Sequence, residues 1–382
     1  MIPVNEPLLD GNEGLYLQEC ISSGWLSSEG PFVERFETEM AARVGRKFAV
    51  AVSNGTAALE LALASMRLEP GSIVVLPTFC IISCAAAVIR NGCVPLFVDA
   101  DPLTWNIDTE KLAELLEHEI VRKNNTKVKA IMPVHTYGLP VDMDRILKIA
   151  DHYGLAVIED AAEMHGQSYR GKACGSFGGI SIFSFYANKL VTSGEGGMVL
   201  TDDPLLAERC RSLRNLCFQS GRRFVHEELG YNFRMSNLQA AVGVAQLERL
   251  DLFVTRKRRM GERYDELFDG CKYLQLPLPR TEYADNIYWV YGLVLGDEVE
   301  SDAAAMMQKL AGRGIGTRPF FWPMHEQPVF RRMGILKENS YRYPVAERLA
   351  RRGFYLPSGL GLRDENIYTV AEVVIEEIGK VL

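Results

Sequence analysis

The stretch Leu155-Ala156-Val157-Ile158-Glu159-Asp160-Ala161-Ala162-Glu163 decides the fold. Its four apolar residues followed by acids are typical of a strand that is buried on both faces. The acids would emerge at the carboxyl end of that strand, where open α/β sheets bind their ligands. Asp160 is therefore a candidate site residue, although it could instead cap a following helix.

Similar apolar runs recur along the chain, and helical patterns lie between several of them. Leu112, Leu115, Leu116 and Ile120, for example, have the spacing of one helix face. Alternating strands and helices predict an α/β fold with a largely parallel sheet and helices on both faces. The strand-like runs, which predict a seven-stranded sheet, lie near residues 48–52, 72–76, 94–98, 128–134, 155–158, 180–185 and 197–201.

The predicted pattern of strands and helices changes near residue 250. Residues 230–250 predict a long helix entered through a loop, and a smaller α+β arrangement follows. We therefore expect a large domain over residues 1–250 and a small C-terminal domain over residues 251–382. The expected elements of the small domain are a helix to Phe268, a Pro-rich break at 276–279, a strand over 288–295 and a helix after Asp364.

The composition narrows the class of protein. The chain has 382 residues, 47% of them apolar and 24% charged, which is ordinary usage for a globular protein of two domains. A net charge of −7 argues against a general nucleic-acid binder. The basic run Arg256-Lys257-Arg258-Arg259 is interpreted as a solvated helix face, with a phosphate-bearing substrate or a subunit contact as the alternatives.

Membrane insertion, secretion and metal binding are not expected. No apolar stretch approaches the ~20 residues that span a bilayer. Residues 1–6 lack the basic region and apolar core of a signal sequence. Eight cysteines occur without a C-x-x-C pair. Cys80 and Cys84 are interpreted as structural thiols, and a reducing cytoplasm is the simplest compartment.

Lys189 lies in a loop that leaves the predicted strand over 180–185, before the Gly/Ser-rich segment 192–197. A lysine amine becomes a covalent catalyst when it is desolvated and held beside a carbonyl carbon. Asp160 could keep a pyridine nitrogen protonated, as pyridoxal-phosphate chemistry requires. Lys189 therefore looks like the Schiff-base lysine of such an enzyme, unless it is an ordinary solvated side chain.

A candidate phosphate site precedes both residues. The segment Ser53-Asn54-Gly55-Thr56-Ala57-Ala58-Leu59 follows a strand-like run and opens an Ala/Leu-rich helix to about Met66. Backbone N–H groups at a helix start, small residues and a hydroxyl suit a phosphate group. Ser184 would add a second hydroxyl to this site. The alternative is a simple helix cap.

In their chain order, the segments that contain Gly55, Asp160 and Lys189 resemble the DegT/DnrJ/EryC1/StrS family of pyridoxal-phosphate-dependent sugar aminotransferases. The resemblance extends over nearly the whole chain. It implies the aspartate-aminotransferase-like fold (fold type I) and a homodimer with its active sites at the subunit interface. Further matching motifs are Ser22-Gly24-Trp25, Gly30-Pro31, Pro77-Thr78-Phe79 and residues 230–241.

The resemblance also implies a role for each candidate residue. Lys189 would form the Schiff base and move the proton, and Asp160 would pair with the pyridine nitrogen. Glu163 would lie near the phenolic oxygen of the cofactor, and Phe79 would stack on its ring. The cofactor phosphate would contact Gly55, Thr56, Ser184 and, from the neighbouring subunit, Asn232, and Ala57 is a further candidate cofactor-binding residue. Because relatives with histidine in place of the lysine deoxygenate the sugar, Lys189 favours transamination through a pyridoxamine-phosphate intermediate.

Within the family, residues 22–30 and 317–330 most resemble the perosamine synthases. These enzymes transfer the amino group of L-glutamate to C4 of GDP-4-keto-6-deoxy-D-mannose, and perosamine is used in O-antigen lipopolysaccharide. An arginine with aromatic rings could hold a nucleotide-sugar by phosphate contact and stacking, although a loop packed on its own domain is the alternative. The candidate substrate-binding residues are Trp25, His135, Arg318, Trp322 and His325.

Three alternatives remain open at this point. His135 could be a general base, but a hydrogen-bonded residue that lines the cleft is the favoured interpretation. The substrate could be a UDP- or dTDP-linked 4-keto-6-deoxysugar, because few residues change a specificity pocket. A non-catalytic ligand-binding protein of the same fold is the third alternative, although no helix-turn-helix extension is visible. A nicotinamide enzyme is disfavoured because no strand is followed by G-x-G-x-x-G.

Overall fold

The computed structural model describes residues 1–219, 221–336 and 342–381. Most of its longer strands fall where the apolar runs predict them. In chain order the strands are β1 (Phe48–Val52), β2 (Ile73–Pro77), β3 (Val94–Val98), β4 (Val128–Ile131), β5 (Ala156–Asp160), β6 (Ser168–Tyr169), β7 (Lys172–Ala173), β8 (Ile180–Ser184), β9 (Gly197–Thr201), β10 (Leu274–Gln275), β11 (Tyr291–Leu295), β12 (Arg318–Pro319) and β13 (Gly353–Leu356).

The central sheet has seven strands in the order β1-β9-β8-β5-β4-β2-β3. The five strands from β8 to β3 are parallel, and β9 lies antiparallel between β1 and β8. The expected seven-stranded, mainly parallel sheet is confirmed. Because β9 returns directly beside β8, the connecting residues 185–196 lie at the edge where the parallel strands end.

Helices cover both faces of this sheet. Successive residues of a strand point to opposite faces, so Ala49 and Ala51 pack in one apolar cluster and Val50 and Val52 in the other. The first cluster includes side chains of the helices Pro31–Val44, Met143–Tyr153 and Asn237–Leu247, and the second includes side chains of the helices Gly55–Ser65, Ile82–Arg90 and Pro204–Arg214. The helices are α1 (Glu13–Ser23), α2 (Pro31–Val44), α3 (Gly55–Ser65), α4 (Ile82–Arg90), α5 (Thr109–Leu116), α6 (Met143–Tyr153), α7 (Pro204–Arg214), α8 (Asn237–Leu247), α9 (Leu250–Leu267), α10 (Ala303–Gly312), α11 (Pro328–Arg332), α12 (Pro344–Arg352) and α13 (Asp364–Gly379).

A second, antiparallel sheet has the order β10-β11-β13-β12. Its core residues pack against apolar side chains of α9, α10 and α13. The expected α+β arrangement of the C-terminal part is therefore present. The domain boundary at residue 250 stays a prediction, and residues 337–341 and 382 of the expected small domain lie outside the described residues. Within the described ranges, no helix is both long and apolar enough to cross a membrane.

The long helix predicted over residues 230–250 is wrong. Helix α8 begins at Asn237, because Ser236 and Gln239 form a reciprocal capping box there. The preceding residues are extended instead, with the Tyr231 N–H donating to the Leu213 carbonyl oxygen at 2.6 Å. Helix α8 ends at Leu247, and α9 starts separately at Leu250.

Candidate active site

A cavity of about 860 Å³ opens at the edge where the parallel strands end. Nine of the candidate residues line it, although they are distant from one another in the sequence. They are Gly55, Thr56, Ala57, His135, Asp160, Glu163, Ser184, Lys189 and Arg318. The remaining candidates, Trp25, Phe79, Asn232, Trp322 and His325, do not line it.

Lys189 lies in the segment between β8 and β9, and its side chain is only 11% exposed. Its Nζ atom is 3.6 Å from Glu163 Oε1. Burial lowers the pKa of the Lys189 amine, although the Glu163 and Asp160 carboxylates act in the opposite direction. The structure therefore contradicts the solvated alternative, because this amine is partly desolvated as a nucleophilic lysine requires.

Trp289 supports the Lys189 amine, a contact that sequence reasoning missed. The Lys189 Nζ atom is 3.9 Å from the centroid of the Trp289 ring. The ring is held by its indole N–H, which donates to the Asn188 carbonyl oxygen at 2.9 Å. Tyr137 stacks against the same ring at a centroid distance of 6.0 Å. No sequence signal identified Trp289, because its neighbours predict only a strand.

Asp160 is the last residue of β5 and is buried. One carboxylate oxygen accepts the Ala162 N–H at 3.0 Å, and the other accepts the Cys84 thiol at 3.2 Å. The helix-cap alternative is wrong, because turns rather than a helix follow β5. Burial raises the pKa of the Asp160 carboxyl, whereas the Ala162 amide and the Cys84 thiol lower it.

Glu163 is also buried beside the cavity. Its Oε2 atom accepts the Tyr137 backbone N–H at 2.7 Å. Burial raises the pKa of the Glu163 carboxyl to about 7, even though Lys189 acts against the rise. Near neutral pH this side chain can therefore be protonated and donate a hydrogen bond into the cavity.

The first turn of α3 forms the candidate phosphate site. The Ala57 N–H donates to the Asn54 side chain at 2.8 Å, so this amide is already engaged within the protein. Ala57 lines the cavity, and its contact with a cofactor stays a prediction. The Gly55 and Thr56 amides lack acceptors within their own helix, as all first-turn amides do. The Thr56 hydroxyl lies 2.8 Å from the Ser83 hydroxyl, which sequence reasoning had not identified.

The lining residues fit pyridoxal phosphate. A Cβ atom on Gly55 would lie 2.7 Å from the Ser184 Cβ, so only glycine lets the helix start approach this hydroxyl. Free amides, hydroxyl groups and the positive end of α3 suit a phosphate dianion. Asp160 offers a buried carboxylate for a pyridinium, and Lys189 offers an amine for an aldehyde.

Substitution of Gly55 with alanine is expected to weaken pyridoxal-phosphate binding by about tenfold or more, because the added methyl group crowds the phosphate site. A fluorescence titration of the apoprotein measures the change in Kd. Gly14→Ala is the control, because its Cβ would have no neighbour within 4 Å. Equal affinities for the two variants would show that the phosphate binds elsewhere.

Phe79 does not have the position that the stacking prediction requires. Its ring is fully buried and packs among Tyr137, Phe320 and Phe321 rather than lining the cavity. Ile81, two residues later, lines the cavity instead and is 42% exposed. The sequence prediction selected the aromatic residue of the motif, whereas the turn after β2 directs the aliphatic one into the cavity.

His135 lines the cavity, but both of its ring nitrogens are engaged by the protein. The Val141 N–H donates to Nδ1 at 3.0 Å, and Nε2 lies 2.9 Å from a Glu159 carboxylate oxygen. Since Nδ1 is an acceptor, Nε2 carries the proton and donates it to Glu159. His135 therefore agrees with the favoured cleft-lining interpretation and offers substrate no free ring nitrogen.

The remaining substrate candidates differ in position. Arg318 lines the cavity and has no carboxylate partner in the ranges that the structure describes. His325 lies outside the cavity, with Nδ1 3.0 Å from the Thr78 hydroxyl of the expected large domain and Nε2 3.3 Å from a Glu347 oxygen of its own expected domain, so this loop packs on both. Trp322 is 46% exposed and Trp25 50% exposed. Asn232 is also exposed, so its contact with a neighbouring subunit stays a prediction.

The basic run on α9 is not a uniformly solvated face. Lys257 is 3% exposed, and its Nζ atom donates to the carbonyl oxygens of Trp289, at 2.9 Å, and Ser358. Burial lowers the pKa of the Lys257 amine to about 7. Arg256 and Arg259 are exposed, and Arg259 pairs with Asp364 at 2.8 Å. The solvated interpretation therefore holds for these arginines but is wrong for Lys257.

His165 is buried next to the site, and the effect of this burial on its pKa can be tested through the stability of the protein. Its ring packs against Phe183 and Phe185, and burial, together with nearby Lys189, lowers the pKa of the imidazole to about 3. In the unfolded chain a histidine titrates near pH 6.5. As the pH falls from about 6.5 towards 3, the unfolded chain therefore binds a proton that the folded protein excludes, and stability is lost.

Substitution of His165 with leucine should remove this acid sensitivity. The free energy of unfolding of the variant, minus that of the wild type, is expected to rise as the pH falls below 6.5. The rise should be up to about 1.4 kcal/mol per pH unit. Denaturant unfolding of the apoprotein at several pH values measures the gain. The same substitution at exposed His152 is the control. Parallel pH profiles for the two variants would contradict the prediction.

Comparison with known proteins agrees with this geometry. The model of the DegT/DnrJ/EryC1/StrS aminotransferase family matches residues 7–375. The chain is 38% identical over 377 residues to the GDP-perosamine synthase of Vibrio cholerae, with 98% of each chain covered. It is 39% identical over 370 residues to the GDP-perosamine synthase of Caulobacter vibrioides, with 96% of this chain and 95% of that protein covered.

A solved structure gives the same result for the fold. DesI, determined in the presence of its TDP-sugar product, superposes with a TM-score of 0.87 at 29% sequence identity. The match covers 99% of this chain and 92% of DesI. The expected fold type I architecture is therefore confirmed.

Proposed function

The chain belongs to the DegT/DnrJ/EryC1/StrS aminotransferase family, and from that premise we propose that it makes GDP-perosamine. It would transfer the amino group of L-glutamate to C4 of GDP-4-keto-6-deoxy-D-mannose. The observation that carries the proposal is the buried Lys189 amine, 3.6 Å from Glu163 and at the same sheet edge as Asp160. The substrate follows from similarity to two GDP-perosamine synthases over nearly their full lengths.

Pyridoxal phosphate is the proposed cofactor. The Gly55 and Thr56 amides and the Ser184 hydroxyl would hold its phosphate, and Asp160 would face its pyridine nitrogen. When bound, it supplies an electron sink for the carbon that gains or loses the amino group. Its catalytic contact to the protein would be the Lys189 amine.

Lys189 would act as the base and the acid in both halves of the reaction. Its Nζ atom would take the α-proton from glutamate and later deliver a proton to sugar C4. The Trp289 ring covers the amine at 3.9 Å, which limits its access to water and fixes its position. Glu163 would hold a proton at its carboxyl group and donate it as a hydrogen bond to a developing negative charge.

Arg318 is the proposed anchor for substrate anions. It lines the main cavity and also a smaller adjoining cavity of about 190 Å³. The other arginine of the main cavity, Arg90, is paired with Glu60. A guanidinium without a carboxylate partner suits the carboxylate of glutamate in one half-reaction and a diphosphate oxygen in the other.

A homodimer is proposed as the functional unit. Several apolar side chains near Asn232 in the sequence are exposed, including Phe224 at 80% and Leu229 at 90%. Trp25 and Ile21 form part of a second exposed apolar region at the end of α1. Such surfaces are typical of subunit interfaces. The proposed compartment is the cytoplasm, where the product would enter O-antigen synthesis.

A TDP-linked 4-keto-6-deoxysugar is the second candidate substrate. The observation that favours it is the similarity to DesI, which was solved with a TDP-sugar product. The chemistry at Lys189 would be unchanged, because only the carrier nucleotide differs. UDP-linked sugars belong to the same alternative.

The test offers the three nucleotide-linked keto-sugars separately to the purified protein with pyridoxal phosphate and L-glutamate. The release of 2-oxoglutarate gives kcat/KM, and mass spectrometry with NMR identifies the amino-sugar and its C4 configuration. We expect the highest kcat/KM with the GDP-linked sugar. A preference for the TDP- or UDP-linked sugar would replace the substrate, and no turnover with any of the three would refute the proposed function.

A further inference from the structure

The buried Cys84 thiol makes a contact that no part of the proposed mechanism uses. It lies in the first turn of α4 and is fully buried. Its Sγ atom donates to Asp160 Oδ2 at 3.2 Å, which is short for a hydrogen bond from sulfur. The sequence motif indicated only a structural thiol, and a thiol in simple apolar packing would not contact a carboxylate.

The other contacts of Asp160 show why this donor matters. The Ala162 N–H holds Oδ1 at 3.0 Å, so Oδ2 depends on the Cys84 thiol for its fixed position. The carboxylate lies on the buried end of β5, where an ion without hydrogen bonds is costly. With a donor on each oxygen, rotation of the carboxylate is restrained, and Asp160 lines the cavity in this orientation.

We propose that Cys84 is a positioning residue for the reaction, with a thiol that holds Asp160 Oδ2 so that the carboxylate can pair with the pyridine nitrogen of the cofactor. The inference rests on the proposed function for its catalytic consequence. The hydrogen bond itself exists in the protein without a cofactor and can be tested there.

The comparison of Cys84→Ser with Cys84→Ala separates donation from packing. Serine keeps a donor at this position, whereas alanine removes it and leaves only a small void. For Cys84→Ala we expect about a tenfold loss of kcat with little change in KM, together with a shifted pH midpoint of the visible absorbance of the bound cofactor. For Cys84→Ser we expect values close to those of the wild type.

Cys210→Ala is the matched control, because this thiol is equally buried on α7 and has no contact with Asp160. It should leave the absorbance midpoint unchanged, and thermal unfolding of all the apoproteins reports any loss of stability. A Cys84→Ala variant with the wild-type midpoint and kcat would overturn the inference. Equal losses in Cys84→Ser and Cys84→Ala would also overturn it, because packing rather than donation would then be responsible.

A measurement without cofactor separates this inference from the proposed function. The Raman difference spectrum between the wild-type and Cys84→Ser apoproteins isolates the S–H stretch of Cys84. We expect a band at the low frequency of a strongly bonded thiol, which moves to higher frequency in Asp160→Asn because an amide oxygen is a weaker acceptor. A band unaffected by Asp160→Asn would overturn the inference even if the enzyme aminates its sugar. Conversely, the band could shift in a protein that fails every amination assay.

Discussion

Replacement of Lys189 with alanine should abolish turnover while the protein remains folded and binds its cofactor. The amine is the proposed proton carrier in both half-reactions, and no other lysine lines the main cavity among the described residues. We expect kcat to fall by about 10⁴-fold or more, because nucleophilic and acid–base contributions are lost together. Release of 2-oxoglutarate with glutamate and the GDP-linked keto-sugar measures the loss.

The prediction has a second, spectroscopic part. The phosphate site and Asp160 are intact in Lys189→Ala, so pyridoxal phosphate should still bind and glutamate should still react with it slowly. Lys172→Ala is the control, because Lys172 is exposed outside the cavity and packs on the Phe177 ring. Turnover of Lys189→Ala at the wild-type rate would exclude Lys189 as the catalytic amine.

Substitution of Asp160 with asparagine should cause the second-largest loss. The amide is nearly the same size, but it carries no charge and cannot hold a pyridine nitrogen in its protonated form. Without that charge the cofactor is a weaker electron sink, so we expect kcat to fall by about 10³-fold. Steady-state kinetics with saturating cofactor measures this effect.

Two controls distinguish lost charge from a disturbed fold. The apoprotein of Asp160→Asn should unfold at or above the wild-type temperature, because it no longer buries an ionised carboxylate. Asp142→Asn is the comparison, because Asp142 caps α6 and lies outside the cavity. It should leave kcat unchanged and cost little stability, because asparagine caps a helix about as well as aspartate does. An Asp160→Asn variant with a kcat near that of the wild type would contradict the proposed role of Asp160.

The sequence predicted those parts of the site that depend on where strands end. Asp160 ends β5, Gly55 lies three residues after the end of β1, and Lys189 lies in the short segment that joins β8 to β9. In a mainly parallel sheet these ends meet at one edge, so apolar runs were sufficient to bring the three residues together. The same reasoning predicted the seven strands, because buried strands are nearly continuous apolar runs.

Side-chain direction after a strand could not be predicted in the same way. Phe79 and Ile81 both follow β2, and the sequence favoured the aromatic residue, whereas the turn directs Ile81 into the cavity. His135 shows the same limit, because its ring nitrogens are engaged by Val141 and Glu159. Such contacts depend on local turns rather than on hydrophobic periodicity.

Contacts between distant segments were also beyond sequence reasoning. Trp289 is 100 residues from Lys189 in the chain and reaches it only because the second sheet packs beside the first. Lys257 appeared in a basic run that predicts a solvated face, yet it is buried against the backbone of Trp289. Cys84 gave no sequence signal of its contact with Asp160. In each case tertiary packing gave the residue its environment.

Absorbance spectroscopy of the two half-reactions tests the central claim most directly. The protein is loaded with pyridoxal phosphate and treated with L-glutamate, the 2-oxoglutarate is removed, and the GDP-linked keto-sugar is then added. We predict that glutamate converts the visible absorbance to that of the amine form, and that the keto-sugar restores it with release of an amino-sugar. A protein that binds the cofactor but never forms the amine with glutamate would contradict the assignment of this site as an aminotransferase.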